Sequence, residues 1–292
     1  MRVIVTGATG LLGTDICRAL AKETELLGWA RRVPLKNFVP VESVDITNFS
    51  EVVSSFRRWR PDWVIHTAAL SDVDACEKDP ALAAKVNTLG SEHVAKACQE
   101  TGAALLAVST DYVFDGEAKR PYREEDPVHP INAYGRSKCE AEEVVLRWAK
   151  QGTILRVSGL FGWARQNFVS SCAKTFLSGG DVTVVPQKYS PSFAVDLAQG
   201  IRGIMQKFPA GYRGILHLAN SGGASREELA CAIGEIVGIF EPESHLRHSS
   251  WEKLEKLASR PLDTRLDCTR YAQLIGQPLR SWQEALHAFF EK

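Results

Sequence analysis

The sequence predicts an α/β fold, a doubly wound parallel sheet followed by a smaller mixed α/β region, on two observations. Up to residue 157, short β-rich runs alternate with segments of helical period, the pattern of parallel strands wrapped by helices. A Gly-x-x-Gly-x-x-Gly run at 7–13 then lies between the first strand and the first helix, where a Rossmann-type sheet carries such a turn. Strands are predicted at about 2–6, 25–30, 41–45, 62–67, 104–109 and 152–157, apolar runs too short for helices. Helices fill the gaps. Thr47 and Asn48 can cap the helix carrying Val52, Val53 and Phe56, and Asp79-Pro80, with proline at the first position, opens a helix to Thr101. Another helix runs from Tyr134 to Lys150. Beyond Val157 the alternation loosens into a helix from Asn167, a strand at Val182 to Val185, a helix from Phe193 and a strand from Ile215 to Ala219. Ser225 and Glu228 form a capping box, and a last helix spans Trp282 to Phe290.

A chain of 292 residues that is 45% apolar can bury a large core. Its 35 basic and 35 acidic residues cancel, so no nucleic-acid or anionic-membrane partner is expected, and anionic ligands must be met by local features. The cysteines at 17, 76, 98, 139, 172, 231 and 268 never fall in a Cys-x-x-Cys pattern and read as buried thiols of a reducing compartment. The chain opens directly into Arg2-Val3-Ile4-Val5 and has no apolar run of bilayer length, so the expected location is cytoplasmic.

Within the glycine run, Gly7 permits a tight turn, Gly10 lets the main chain approach a pyrophosphate, and Gly13 lets the helix pack on the sheet. Gly7, Thr9, Gly10, Leu11, Leu12 and Gly13 are therefore the expected phosphate cradle of a dinucleotide, with the helix N-terminus facing the anion. An NAD-preferring protein ends its second strand in an Asp or Glu that grips the ribose 2′-hydroxyl. Here Leu26-Leu27-Gly28-Trp29-Ala30 ends in Arg31-Arg32, whose guanidinium forks suit a 2′-phosphate, so NADP(H) is expected, with NAD(H) as the alternative. Asp45 and Ile46 are placed to meet the adenine, and Ala68-Ala69 give a small-residue floor under the pyrophosphate and nicotinamide ribose.

The reacting centre is expected at the carboxyl end of the fifth strand, where Ser109-Thr110-Asp111 faces the same crevice as the glycine turn. Tyr134 and Lys138, four apart on a helix, share a face. A free phenol titrates near about 10, so donating near pH 7 needs roughly 4 kcal/mol of differential stabilisation of its anion, part of which an ammonium supplies. Thr110 can hold a carbonyl and its developing alkoxide, Tyr134 can deliver the proton, and Lys138 can steady the phenolate and the ribose, which together serve hydride transfer.

These motifs resemble the extended short-chain dehydrogenase/reductases, and within them the dTDP-4-dehydrorhamnose reductase family. The resemblance covers almost the whole chain: the turn at 7–13, Ala68-Ala69 before Val73-Asp74 and Glu77, Ser109 to Phe114, Tyr134 to Lys138, Ser190-Pro191 before Asp196-Leu197-Ala198, and Arg260-Pro261 before Leu266. It implies Thr110, Tyr134 and Lys138 as catalytic residues for NAD(P)H-dependent reduction of a 4-keto-6-deoxyhexose carried on a nucleotide diphosphate. It also implies Val73, Asp74, Thr110, Asp111, Asn167, Phe168 and Arg260 as contacts to the nucleotide sugar, with Arg260 suited to a diphosphate. The implied division is an NADP(H)-binding unit of residues 1–158 with about 193–219, and a substrate-binding region of about 159–192 with 220–292. A homodimer is compatible with the resemblance.

The chain departs from the family at two places. Arg156-Val157-Ser158-Gly159-Leu160-Phe161-Gly162 lacks the tryptophan expected there, for which Trp163 is the candidate substitute, and Pro186-Gln187-Lys188-Tyr189 replaces the usual Asp-Gln-x-Gly turn. The loop Pro121 to Pro127 with Leu266-Asp267-Cys268 also resembles the β regulatory subunit of methionine adenosyltransferase, an NADP-binding partner protein. A nucleotide-sugar epimerase or dehydratase, using the same residues, is the other alternative.

No metal centre is expected, because His245 and His248 lack a convincing third ligand. His66 and His217 read as satisfied core histidines, and Glu140, Glu142 and Glu143 as the solvated face of the Tyr134 helix. Glu124-Glu125-Asp126 reads as an exposed loop.

Overall fold

Val3 and Val5 of the first strand pack on one face of the sheet and Ile4 on the other, and all three are fully buried. That is the mark of a strand covered on both sides. The computed structural model describes residues 1–33 and 39–291. In chain order its strands are β1 Arg2–Thr6, β2 Glu25–Ala30, β3 Val41–Ser43, β4 Trp63–His66, β5 Ala104–Thr110, β6 Gly152–Val157, β7 Leu160–Phe161, β8 Val182–Val184, β9 Lys188–Tyr189, β10 Ser192–Phe193, β11 Gly214–His217, β12 Ala224–Ser225 and β13 Leu246–His248. The helices are α1 Leu11–Leu20, α2 Phe49–Trp59, α3 Val73–Lys78, α4 Pro80–Ala83, α5 Gly90–Thr101, α6 Ala133–Trp148, α7 Phe168–Leu177, α8 Ala194–Lys207, α9 Arg226–Ile236, α10 Thr269–Ile275 and α11 Trp282–Phe290.

Seven strands form one parallel sheet in the order β11-β6-β5-β4-β1-β2-β3. The order reverses between β1 and β4, which opens a crevice at their carboxyl ends. Helices α1 and α8 cover one face through Ile16, Leu20, Leu197 and Ile201; α2, α5 and α6 cover the other through Val52, Phe56, Val94, Cys98 and Val145. A third core, built from Phe161, Val169, Phe176, Tyr189, Phe193, Ile233, Trp282 and Phe289, belongs to the second half of the chain, where paired short strands replace the large sheet.

The expected helix from Pro80 to Thr101 is instead a four-residue α4, a π-helical stretch Ala84–Leu89, and α5. The wide turn seats the buried Asn87 side chain between chain segments. Its Oδ1 accepts from Leu70 N at 2.8 Å and its Nδ2 donates to Leu70 O at 3.0 Å and to Ser137 Oγ at 2.9 Å. Asn48 alone caps α2, Asn167 is the cap of α7 rather than its first residue, and β3 stops at Ser43.

Candidate active site

The carboxyl ends of β1, β4 and β5 open onto a cleft of about 450 Å³. On its wall lie Gly7, Thr9, Gly10, Leu11, Leu12 and Gly13, then Arg31, Asp45 and Ile46, then Ala68 and Ala69, and finally Thr110, Tyr134 and Lys138. Residues up to 131 positions apart in sequence thus meet in one place. Gly13 could not carry a side chain, since a Cβ there would stand 2.2 Å from Gly7 O. Gly7 has φ +66°, and a Cβ on it would meet Thr67 Oγ1 at 2.8 Å and Ala68 N at 2.9 Å. No side chain among the described residues caps the start of α1, so the first main-chain N–H groups of the helix, just after these glycines, have no side-chain acceptor. The cradle fits an anionic pyrophosphate. Arg31 lines the cleft at the end of β2, whereas Arg32 is exposed and does not reach its wall.

Helix α6 delivers the Tyr134 and Lys138 pair. Asn132 caps it, accepting from Gly135 N at 2.8 Å, while its Nδ2 donates to Ser259 O at 2.8 Å; Glu77 accepts from Ala133 N at 2.7 Å. Gly135 lets the helix touch the segment after β5, because a Cβ there would lie 2.2 Å from Tyr112 O. Lys138 Nζ donates to Val108 O at 2.8 Å, and burial lowers the ammonium from its ordinary 10.5 to about 8 against the opposing pull of Glu142. The Tyr134 phenol differs from the expectation of a lowered pKa. Burial raises it above the usual tyrosine range, and a hydrogen bond with Thr110 only partly opposes that. The ammonium is turned to Val108 O, and desolvation of the phenolate wins.

Glu142 corrects a second expectation. It is not on a solvated face but buried, bound by Arg156 through Nε at 2.9 Å and Nη2 at 2.6 Å and by Ser109 Oγ at 2.5 Å. Glu124 is likewise buried, accepting from His217 N at 3.0 Å. His66 is satisfied by Thr6 Oγ1 at 2.7 Å and Ser91 Oγ at 3.0 Å, and burial lowers it to about 3. His217 is bonded at Nδ1 to Tyr122 O at 3.1 Å, and its buried Nε2 has no hydrogen-bond partner within 3.5 Å among the described residues. No metal-holding group of His, Cys, Asp or Glu occurs among the described residues, and no helix there is long and apolar enough to cross a membrane.

Of the residues expected at the sugar nucleotide, Thr110 and Asp111 reach the cleft, and Val73, Asp74, Asn167, Phe168 and Arg260 lie off its wall. Asp111 is already engaged. Its buried carboxylate accepts from Ser158 Oγ at 2.7 Å, Thr264 Oγ1 at 2.5 Å and Thr110 Oγ1 at 3.1 Å, while burial raises its pKa. Arg260 is bound to Asp74 at 2.8 Å and lies over the Trp251 ring at 4.8 Å. Asn167 spends its side chain on capping and on Gly162 O at 2.7 Å. Trp163 does not face the cleft: it stacks on Phe289 and meets Phe193 edge-on, its Nε1 donating to Phe289 O at 3.2 Å.

Two contributors were not read from the sequence. Arg165 reaches across to Thr9 O at 3.3 Å and lines the cleft beside the glycine turn. Asn87 ties Leu70, on the cleft wall, to Ser137 on α6. An asparagine within a helical run was its only signal, since Asn disfavours helix interiors.

A parallel sheet that brings a glycine cradle and a tyrosine–lysine helix to one crevice defines a short-chain dehydrogenase/reductase fold. The family described as the RmlD substrate binding domain matches residues 1–292, and the chain belongs to that family. It is 35% identical to a dTDP-4-dehydrorhamnose reductase of Streptomyces griseus, covering 99% of this chain and 93% of the relative. It is 32% identical to a spore coat polysaccharide biosynthesis protein of Bacillus subtilis, covering 100% of this chain and 97% of that protein. The solved structure of dTDP-4-dehydrorhamnose reductase from Bacillus anthracis in complex with NADP superposes with a TM-score of 0.89 at 32% identity, covering 99% of this chain and 98% of that one.

Proposed function

We propose that this chain is an NADP(H)-dependent reductase of a 4-keto-6-deoxy sugar carried on a nucleotide diphosphate, of the dTDP-4-dehydrorhamnose reductase kind. The observation that carries the reading is the meeting of Thr110, Tyr134 and Lys138 with the glycine cradle in one cleft. Gly7 to Gly13 and Ala68-Ala69 would hold the pyrophosphate, Asp45 and Ile46 the adenine end, and Arg31 the 2′-phosphate. A reduced nicotinamide bound there supplies the hydride. Tyr134 donates the proton to the carbonyl oxygen that Thr110 holds, and Lys138 leaves Val108 O to steady the phenolate. In this reading residues 1–158 with about 193–219 bind coenzyme, 159–192 with 220–292 receive the sugar nucleotide, and the protein works in the cytoplasm.

The test is NADPH oxidation with dTDP-4-dehydrorhamnose as substrate. One coenzyme oxidised per sugar reduced is the expected result. An epimerase or dehydratase would regenerate its coenzyme, and a regulatory subunit would bind NADPH without turnover; either result overturns the reading.

A further inference from the structure

Arg226 is the side chain that the proposed chemistry has not used and that the structure takes unusual trouble to hold. Its guanidinium lies over the Phe168 ring at 4.3 Å and over the Tyr189 ring at 4.9 Å. Its Nε donates to Gln187 Oε1 at 3.3 Å. No carboxylate among the described residues lies within ion-pair distance of it. Arg260, by contrast, is already neutralised by Asp74. Helix stability does not explain the placement, because a cation at the first residue of α9 opposes the helix dipole.

The surroundings tie this cation to the cleft by two routes. Tyr189 presses against Gly159, where a Cβ would stand 2.3 Å from Tyr189 Cδ2, and Gly159 lines the cleft with φ +53°. Gln187 Nε2 donates to Tyr112 Oη at 3.2 Å, and the Tyr112 ring meets that of Tyr134 edge-on at 6.0 Å. A guanidinium one ring removed from the cleft wall, held over two aromatic rings and with no Nη hydrogen bond or ion pair found among the described residues, has the form of a waiting oxyanion partner.

We infer that Arg226, held between Phe168 and Tyr189, binds a diphosphate oxygen of the sugar nucleotide and is a principal source of affinity for that diphosphate. The inference rests on the nucleotide-sugar reading above. It moves the expected diphosphate contact from Arg260, whose charge is spent on Asp74, to a residue hydrogen-bonded to Gln187.

The experiment is calorimetric titration of NADP⁺-loaded protein with dTDP, and with UDP as a second probe, for wild type, Arg226→Gln and Arg226→Lys. The expected result is a roughly 10- to 100-fold weaker dTDP affinity in Arg226→Gln, as befits loss of a charge-assisted hydrogen bond to phosphate, with NADP⁺ affinity unchanged. Arg226→Lys keeps the charge but not the fork or the stack, and should recover only part of the loss; it also serves if the glutamine variant does not fold. Equal dTDP affinity in wild type and variant overturns the assignment, as does a parallel loss of NADP⁺ affinity, which would make Arg226 merely structural. Wild-type protein that binds neither nucleotide removes the nucleotide-sugar reading itself, and this inference with it.

Discussion

Replacing Lys138 by methionine should make the protein more stable while removing its activity. The ammonium is buried, and its environment lowers it from 10.5 to about 8 even with Glu142 attracting it. Keeping it charged in the folded state at neutral pH therefore costs about 3 kcal/mol relative to the unfolded chain. Methionine has a similar length and no charge, so that cost disappears; losing the bond to Val108 O gives back about 1 kcal/mol. The net gain for Lys138→Met should be about 2 kcal/mol at pH 7. The sign with pH is fixed by linkage. Between the folded value of about 8 and the unfolded value near 10.5, the unfolded chain holds the extra proton, so raising pH relieves the wild type. Urea unfolding of both proteins from pH 7 to 10.5 measures it, and taking the difference cancels the cysteine and tyrosine titrations common to both. The advantage of the variant should be largest up to pH 8 and fade toward pH 10.5. A variant less stable than wild type at pH 7, or an advantage that does not change with pH, would refute the reasoning.

Three further outcomes are expected. Tyr134→Phe should bind NADP⁺ normally by calorimetry yet lose at least about 100-fold in kcat, and near-normal turnover would dismiss Tyr134 as the proton donor. Glu142→Gln leaves the buried Arg156 without its charge partner and should cost about 3–5 kcal/mol in denaturant unfolding; a loss under about 1 kcal/mol would mean that water reaches the pair. Gly159→Ala should be destabilised by about 1–3 kcal/mol because its methyl meets Tyr189, and Tyr189→Ala in the same chain should recover the clash but not the backbone cost of φ +53°. Strict additivity in that double-mutant cycle contradicts the contact.

What could be read from the sequence was local. The first strand, the glycine turn, the Ser225 capping box and the Tyr134–Lys138 spacing depend on neighbours within a few residues, and each stands where the pattern puts it. What escaped depends on contacts across the chain. Glu142 looked like surface because its helix neighbours are charged, but Arg156, from the strand β6, turns it inward. Asp111 looked available until Ser158 and Thr264 claimed its carboxylate, the latter from 153 residues away. The π-helical stretch at 84–89 could not be read from period, since Asn87 is pulled by Leu70 and Ser137 rather than by its own helix. Arg260 reads as a phosphate clamp in the sequence, but Asp74, 186 residues away, already neutralises it.

The seventh strand of the sheet carries a consequence for how the protein comes into being. Strand β11, Gly214–His217, is the neighbour that closes the outer side of β6, yet the chain supplies half of the buried residues of another core before returning to provide it. During synthesis β6 leaves the ribosome with one row of backbone N–H and C=O groups unanswered, and stays so until residue 217 has emerged. A nascent chain halted after residue 158 would present that bare edge to other nascent chains, a template for aggregation. Completion of the seven-stranded sheet is thus a late event in the life of the polypeptide, and its strands before and after residue 158 are obliged to mature together.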